Sequence, residues 1–215
     1  MPKSGRNGAG APSVANGSES AAALRSSTSQ QAILAAAREL FTSQGYSATS
    51  ISEIVTRAGT SVGLPYYHFG SKKKIFVTLW SEFEDSQMSR TRTAVAAARR
   101  AGASGKELLL VGTRAYLEGA WQDRDIVPLV LSRDTPAGFD AVMREVDRKW
   151  ERQNRALLSD YEPELVRTAA VLLGGALRAV CLEFPRCKSE TEAFKLIEDA
   201  LLLYSGLLSG LVAVK

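Results

Sequence analysis

The sequence has few of the residues from which enzymes and secreted proteins build their sites. Its 215 residues include two cysteines, Cys181 and Cys187, and one histidine, His68. Two cysteines are too few for a disulfide framework, and one histidine does not supply a zinc site of the usual kind. We see neither a glycine-rich phosphate loop nor a nucleophile with its base. We therefore expect no metal, no cofactor and no catalysis.

Long apolar runs are also scarce. The longest one, Ala200 to Val214, contains two serines and is shorter than the roughly 20 residues that a membrane-spanning helix needs. The basic start, Met1 to Arg6, is not followed by the apolar segment of a signal peptide. We expect a soluble, cytoplasmic protein without a membrane partner.

The remaining composition is that of an ordinary globular protein, with 45% hydrophobic and 23% charged residues. Its length fits one domain, or a small domain joined to a larger one. The charge is uneven: residues 1–75 contain eight lysines and arginines against three acids, whereas residues 76–215 contain 19 basic and 20 acidic residues. The first third of the chain therefore has a positive net charge, whereas the rest is nearly neutral. This distribution favours an N-terminal module that binds a polyanion.

The first 26 residues are mostly glycine, serine, alanine, proline and asparagine, and we expect them to form a disordered tail. After the tail, four segments begin with capping residues and have apolar residues at helical spacing. They are Thr28 to about Gly45, Ser50 to Gly59, Val62 to about Phe69 with Ser61 as its N-cap, and a long helix from Ser71.

Glycines and prolines divide the rest of the chain into five further helices, and no segment alternates as a strand does. We expect helices at roughly 105–121, 124–132, 136–159, 163–184 and 189–212. The predicted class is all-α, with about nine helices in total.

The segment from Ser50 to Phe69 predicts a helix-turn-helix, in which the second helix enters a DNA major groove. That second helix contains two tyrosines and the histidine, whose polar tips can donate to phosphates. Phe69 and one side of Tyr66 are expected in the core, and Tyr67 and His68 are expected to be exposed. Lys72 to Lys74 follow in the first turn of the next helix, where cations are unfavourable unless an anion binds nearby.

Residues 28 to about 80 resemble the DNA-binding domain of the TetR family of bacterial transcriptional regulators. The similar stretches are Ile33 to Ala37, Leu40-Phe41, Gly45-Tyr46, Thr49 to Ile51, Ile54, Ala58-Gly59, Ser61, Gly63, Tyr66 to Phe69 and Ser71-Lys72. Pro65 departs from the family, which usually has a different apolar residue there. If Ser61 is the N-cap, Pro65 removes only the first intrahelical hydrogen bond.

The resemblance implies three segments: a tail (1–26), a three-helix DNA-binding domain (27–74), and a larger helical domain for ligand binding and dimerisation (75–215). It implies a phosphate contact for Thr49, a recognition helix led into the groove by its first residues, and a phosphate anchor at Lys72. The full set of DNA-contacting residues that it implies is Thr49, Thr60, Ser61, Val62, Gly63, Leu64, Tyr66, Tyr67, His68 and Lys72.

The last two long helices are apolar most of the way round, so they must be buried on more than one side. The interior of one domain can cover only one side of each helix. We therefore expect a second subunit to cover the other side. Gly206 and Gly210 also fit a membrane-dimer motif, but their segment is too short to span a membrane. The predicted homodimer interface comprises Leu173, Leu177, Leu203, Leu207 and Gly210.

The family resemblance also implies a pocket for a small molecule among the middle helices. Large side chains there are the candidates for its lining, although such residues are also ordinary core. They are Phe83, Tyr116, Trp121, Phe139, Met143 and Trp150, with Arg114, Glu118 and Asn154 as polar anchors. The sequence does not indicate which molecule would bind there.

The expected function is that of a homodimeric repressor that binds a palindromic operator and is released by a small-molecule effector. Repression rather than activation is the family default, and neither the operator nor the regulated genes are encoded in any recognisable motif. The alternative is a helical architectural protein that binds DNA without sequence preference. The two differ in specificity, since a regulator prefers its own site by roughly 10³-fold or more.

Overall fold

The computed structural model describes residues 15–131, 134–158 and 161–211, which form nine α-helices and contain no strand. The predicted all-α class is therefore confirmed. The helices are α1 (Ala15–Gln44), α2 (Ile51–Ala58), α3 (Gly63–Phe69), α4 (Lys72–Arg100), α5 (Gly105–Gln122), α6 (Val127–Leu131), α7 (Phe139–Leu157), α8 (Pro163–Glu183) and α9 (Glu190–Ser209), with a 3₁₀ helix at Phe184–Arg186 between the last two.

The first helix begins earlier than predicted. It starts at Ala15, so residues 15–26, expected to be disordered, are helical, and the capping signal at Thr28 lies inside the helix. Residues 21–24 are three alanines and a leucine, the strongest helix formers, and this propensity outweighs the weak start signal. The rest of the predicted tail, residues 1–14, lies outside the described residues.

The other helix ends lie within about three residues of the predicted ones. Ser50, Ser71, Ser104 and Ser189 each accept a hydrogen bond from a main-chain N–H in the first turn of the following helix. The predicted boundary between the two domains, at residues 74 and 75, falls inside α4. This helix therefore runs from one predicted domain into the other, and the division itself stays a prediction.

One continuous core joins the small N-terminal bundle to the body. The ring of Phe76 on α4 lies 6.0 Å from Phe41 of α1 and 5.0 Å from Phe139 of α7. Trp80, one turn further along α4, lies 5.6 Å from Phe139. In the body, α5 is central and packs against α4, α7, α8 and α9. This arrangement rigidly connects the start of α4 to both halves of the molecule.

Candidate DNA-binding surface and ligand cavity

The helix-turn-helix is built by the local signals that predicted it. The Ser50 side chain accepts from the main-chain N–H of Glu53, and the Glu53 carboxylate accepts from the main-chain N–H of Ser50, so the capping box is present. Gly59 has φ 62°, a left-handed conformation that ends α2 with little strain because glycine has no Cβ. The N–H of Thr60 then donates to the carbonyl of Val55 at 3.2 Å. The turn into α3 is therefore short and fixed.

The recognition helix α3 begins one residue later than predicted. Its N-cap is Val62, and Ser61 contributes its carbonyl, which accepts from the N–H of Leu64 at 3.1 Å. The prediction that the Ser61 side chain is the N-cap is therefore wrong. With this start, Pro65 is the third helical residue, whose N–H has no partner inside a helix. Pro65 is buried and costs no intrahelical hydrogen bond.

One side of α3 is anchored and the other is open. Pro65 and Phe69 are buried, and Leu64 is half-buried against the same core. Tyr67 is 79% exposed and Tyr66 is 55% exposed. Further exposed positions of the predicted DNA-contacting set are Ser61, Val62 and Gly63. The open side of α3 is thus exposed to solvent, and its two large exposed side chains are the tyrosines.

His68 does not project as Tyr67 does. It is half-buried, and its Nε2 atom lies 2.8 Å from the Ser29 hydroxyl of α1. The Ser29 hydroxyl also lies 2.9 Å from the carbonyl of Ser26, to which it donates its single proton. The imidazole N–H therefore donates to Ser29. The expectation of an exposed His68 is wrong, because this bond holds the ring against α1.

Two threonines in the predicted DNA-contacting set are turned away from the surface. Thr49 is 1% exposed; its hydroxyl donates to the carbonyl of Gly45 at 2.8 Å and accepts from Gln44 at 3.2 Å. The predicted phosphate contact of its side chain is therefore not possible in this conformation. Thr60 is half-buried, and its hydroxyl oxygen is buried without a partner among the described residues.

Lys72 has a structural environment that the sequence did not reveal. Its Nζ atom donates to the carbonyls of Thr49 at 2.6 Å and Tyr46 at 2.8 Å, and it lies 4.3 Å from the centre of the Tyr46 ring. Lys73 donates to the carbonyl of Ala137 at 2.7 Å, and Lys74 is exposed. Two of the three first-turn lysines therefore bind main-chain carbonyls, which explains why the helix tolerates them. A phosphate contact of Lys72 stays a prediction.

Polar contacts also join the N-terminal bundle to the body. Asp134, which follows α6, accepts hydrogen bonds from the Ser47 main-chain N–H and from the Ser47 hydroxyl, and these bonds lower the pKa of its carboxyl. Arg38 of α1 pairs with Asp125 at 2.6 Å and with Asp123 at 3.2 Å, both beyond the end of α5. Arg90 of α4 pairs with the same Asp123 at 3.2 Å.

The body contains a partly open cavity of about 800 Å³, lined by residues of α4, α5, α6, α7 and α8. Four of the predicted ligand-binding residues, Phe83, Tyr116, Met143 and Trp150, line it. The other two do not. Trp121 packs against Phe184, with 5.9 Å between ring centres, and Phe139 belongs to the core that joins the two halves.

Of the predicted polar anchors, only Asn154 lines the cavity, and its amide donates to the carbonyl of Trp150 at 2.8 Å. Arg114 instead pairs with Glu198, and Glu118 lies 3.8 Å from Arg114. The charged part of the lining was not predicted from the sequence, because a charged side chain that borders a cavity has no local signal that separates it from one on the outer surface. The charged residues that line the cavity are Glu84, Arg92, Arg99, Asp147, Lys149, Glu151 and Arg178.

Burial changes two titratable groups of the lining. Removal from water raises the pKa of the Glu84 carboxyl, and the nearby ammonium of Lys149 opposes this shift. Burial raises the pKa of the Tyr116 hydroxyl as well, so the phenol stays neutral. Burial thus favours the neutral form of both groups more than water does.

The predicted dimer interface combines two different environments. Leu173 is 2% exposed inside the body, so placing it on an interface was wrong. Leu177 is half-buried and lines the cavity, and its place on an interface stays a prediction. Leu203, Leu207 and Gly210 are exposed. Both faces of α8 are apolar in sequence, and periodicity alone does not tell which of them packs inward. The exposed residues that we missed are Leu165, Val171, Leu172 and Leu202.

No group of three or more histidine, cysteine, aspartate or glutamate residues that could hold a metal occurs within the described ranges. Cys181 is buried and lines the cavity, and Cys187 is half-buried near the 3₁₀ helix. Both thiols are free, and burial raises the pKa of each. A depressed thiol pKa is the usual mark of a reactive cysteine, so neither suggests a nucleophile.

Comparison with known proteins supports the regulator resemblance. Residues 33–79 match the family model described as bacterial regulatory proteins, tetR family. The chain is 28% identical over 102 residues to the HTH-type transcriptional activator FasR of Mycolicibacterium smegmatis, covering 47% of this chain and 45% of FasR. It is 40% identical over 57 residues to the HTH-type transcriptional regulator AcrR of Shigella flexneri, covering 26% of each protein. The chain thus spans less than half the length of these curated relatives.

The fold extends the similarity beyond the matched sequence. A crystal structure of a TetR-like transcriptional regulator from Rhodococcus sp. RHA1 aligns with a TM-score of 0.66, covering 85% of this chain and 96% of that one, at 22% identity. This identity is low, so the alignment supports the architecture alone. Together, the matched helix-turn-helix domain and the shared all-α fold support the resemblance of the chain to the TetR family of transcriptional regulators.

Proposed function

We propose that this protein is a cytoplasmic repressor that binds a two-fold symmetric operator as a homodimer and is released by a small molecule in the cavity of the body. The observation that carries the proposal is the exposed recognition helix. Its open face presents Tyr66 and Tyr67, while Pro65 and Phe69 fix its other side to the core. A rigidly held helix with exposed hydrogen-bonding side chains suits a major groove.

The homodimer is supported by an apolar surface formed by α8 and α9. Leu202 and Leu203 are each 73% exposed, and Val171 and Leu172 of α8 are exposed as well. The segment Pro163–Arg186 has the length and mean hydropathy of a membrane span, but its other side is packed into the body. A second copy of the same surface covers both helices and places two recognition helices on one operator.

Control by a ligand is supported by the connections between the two halves. Val130 and Leu131 of α6 and Met143 of α7 line the cavity. Asp134 lies in the segment between these helices and binds Ser47 in the connection that precedes α2. A molecule that shifts α6 or α7 therefore moves the helix-turn-helix relative to the body, which changes the spacing of the two recognition helices.

The mode of regulation is a separate part of the proposal. FasR is described as a transcriptional activator, so the proteins similar to this chain are not all repressors. Transcription from a promoter that contains the selected site, measured with and without the purified protein, decides between the two. A decrease supports repression, and an increase reverses this part of the proposal alone.

The decisive experiment is selection of bound sequences from random double-stranded DNA with the purified full chain at fixed salt. We expect a two-fold symmetric consensus whose affinity exceeds that of unrelated DNA by about 10³-fold or more. Enrichment of no sequence, with equal affinity for every duplex, would instead support the non-specific architectural alternative. The same selection with Tyr67→Ala serves as a control for contacts made by α3.

A further inference from the structure

The cavity borders a long stretch of α4. The residues of α4 that line it lie along one face from Trp80 to Arg99. At 1.5 Å per residue, this stretch is about 28 Å long. A cavity wall of that length suits an extended chain better than a compact ring system.

The two ends of this cavity differ in their electrostatics. Towards the start of α4, Glu84 lies in the field of Asp147, which itself pairs with Arg178 at 3.2 Å. Burial raises the pKa of the Glu84 carboxyl, and the nearby ammonium of Lys149 opposes this shift. Both cations at this end, Lys149 and Arg178, therefore already lie beside acids, so this end offers an anionic ligand no unpaired cation.

Towards the end of α4 the lining is positive. Arg92 and Arg99 border the cavity two helical turns apart and are also exposed to solvent, and neither has an ion-pair partner among the described residues. The nearby Glu151 is already paired with Arg155 at 2.7 Å. Thr91 also borders the cavity, and its hydroxyl is buried without a partner in the described part of the chain.

An arginine in the last turn of α4 also interacts favourably with the helix dipole. Arg100 lies in the same turn, but it does not line the cavity and donates to the carbonyl of Ala96 at 3.3 Å. The dipole therefore accounts for a basic residue in this turn but not for two arginines along the cavity wall.

From these observations we infer that the effector is a linear amphipathic molecule with a long apolar chain and an anionic head group, bound with its head near Arg92 and Arg99. The chain lies along the apolar wall, next to Phe83, Met88 and Trp150. A carboxylate and a phosphate share the chemistry that arginine recognises. This inference rests on the proposed role of the cavity as the effector site.

The test is calorimetric titration of the purified full chain with four probes of equal chain length, each below its micellar concentration. The probes are hexadecanoate, hexadecyl phosphate, hexadecan-1-ol and hexadecyltrimethylammonium. We expect at least one anion to bind about tenfold or more tightly than the alcohol and the cation, since one charge-assisted contact has about that effect. The two anionic probes tell which head group the site prefers.

Variants locate the head group. Arg92→Gln and Arg99→Gln are each expected to weaken binding of the preferred anion by about five- to tenfold and to leave the alcohol unchanged. Arg100→Gln is the matched control and should bind as the unmodified protein does. Gly174→Leu places a side chain against Trp150, since a Cβ at this glycine lies 3.5 Å from that ring, and should weaken all probes that bind.

Several results would overturn the inference: no binding by either anion, tighter binding of the cation, or an anion affinity in both arginine variants that equals that of the unmodified protein. The DNA selection is done without any probe, so the two proposals fail separately. If the selection yields a symmetric consensus but neither anion binds, only the inferred ligand class is contradicted. If an anion binds but the protein has no DNA sequence preference, the proposed regulator function is contradicted.

Discussion

The Nζ atom of Lys72 lies 2.6 Å from the carbonyl oxygen of Thr49. This bond fastens the first turn of α4 to the connection between α1 and α2, which carries the buried Thr49 hydroxyl and the Ser47–Asp134 contact. Lys72 therefore stabilises the connection that leads into the helix-turn-helix, whether or not it also contacts a phosphate.

Lys72→Ala should lower the free energy of unfolding by about 1–3 kcal/mol, because it leaves half-buried carbonyls without their charged donor. Urea unfolding followed by circular dichroism measures this change. Lys74→Ala is the matched control, since it removes the same charge from an exposed position of the same turn. Equal stability of the two variants would show that the Lys72 contacts contribute nothing to the fold.

Tyr67→Ala should weaken operator binding by about 1–3 kcal/mol, or roughly 5- to 150-fold, because α3 loses its most exposed hydrogen-bonding side chain. Fluorescence anisotropy on the selected operator at constant salt gives the affinity. Stability should change by less than about 0.5 kcal/mol, as for other surface positions. Tyr161→Ala, in the body, is the control. If both variants lose the same affinity for the operator, Tyr67 does not contact DNA directly.

The helix-turn-helix could be predicted from sequence because its signals are local. The capping box at Ser50 and Glu53 and the glycine at the end of α2 each involve neighbours within a few residues. The environments of His68 and Lys72 could not be predicted, since their partners Ser29 and Thr49 are 39 and 23 residues away in the chain. These contacts depend on how the helices pack.

In the body, the same limit separates correct from wrong predictions. Large aromatic residues fill either a cavity wall or the core, and only packing decides that Trp150 lines the cavity while Phe139 does not. The two apolar faces of α8 were equally plausible interfaces from periodicity, so Leu173 was assigned to the wrong one. Charged cavity residues such as Arg99 have no distinctive sequence signal because most arginines are simply exposed.

If the proposed dimer forms through the apolar surface of α8 and α9, Leu203→Glu should convert it into monomers, because the substitution places a charge on the surface that the second copy would cover. Sedimentation velocity measures the change in mass. Leu173→Ala is the contrasting variant: this side chain is buried in the body, so we expect a loss of about 2–5 kcal/mol in stability with the dimer retained in the folded fraction. An unaltered dimer in Leu203→Glu would place the interface elsewhere.

The pair formed by Arg38 and Asp125 should make stability depend on pH. The hydrogen bond from the Arg38 guanidinium holds the pKa of the Asp125 carboxyl below its ordinary value. A carboxyl with a lower pKa in the folded state stabilises that state above its unfolded pKa of about 3.9, and this contribution is lost as the pH falls through the folded pKa. Because both side chains are partly exposed, it is worth only about 0.5–1 kcal/mol at neutral pH.

Asp125→Asn should therefore be less stable than the unmodified protein at pH 7, and the difference should shrink as the pH is lowered from about 5 towards 3, where Asp125 becomes protonated. Urea unfolding at several pH values measures this trend. Asp199→Asn is the control, because Asp199 is an exposed acid paired with Lys195 on the same helix and joins no two elements. If the difference for Asp125→Asn stays constant from pH 7 to pH 3, the contact between α1 and the end of α5 does not depend on the Asp125 charge.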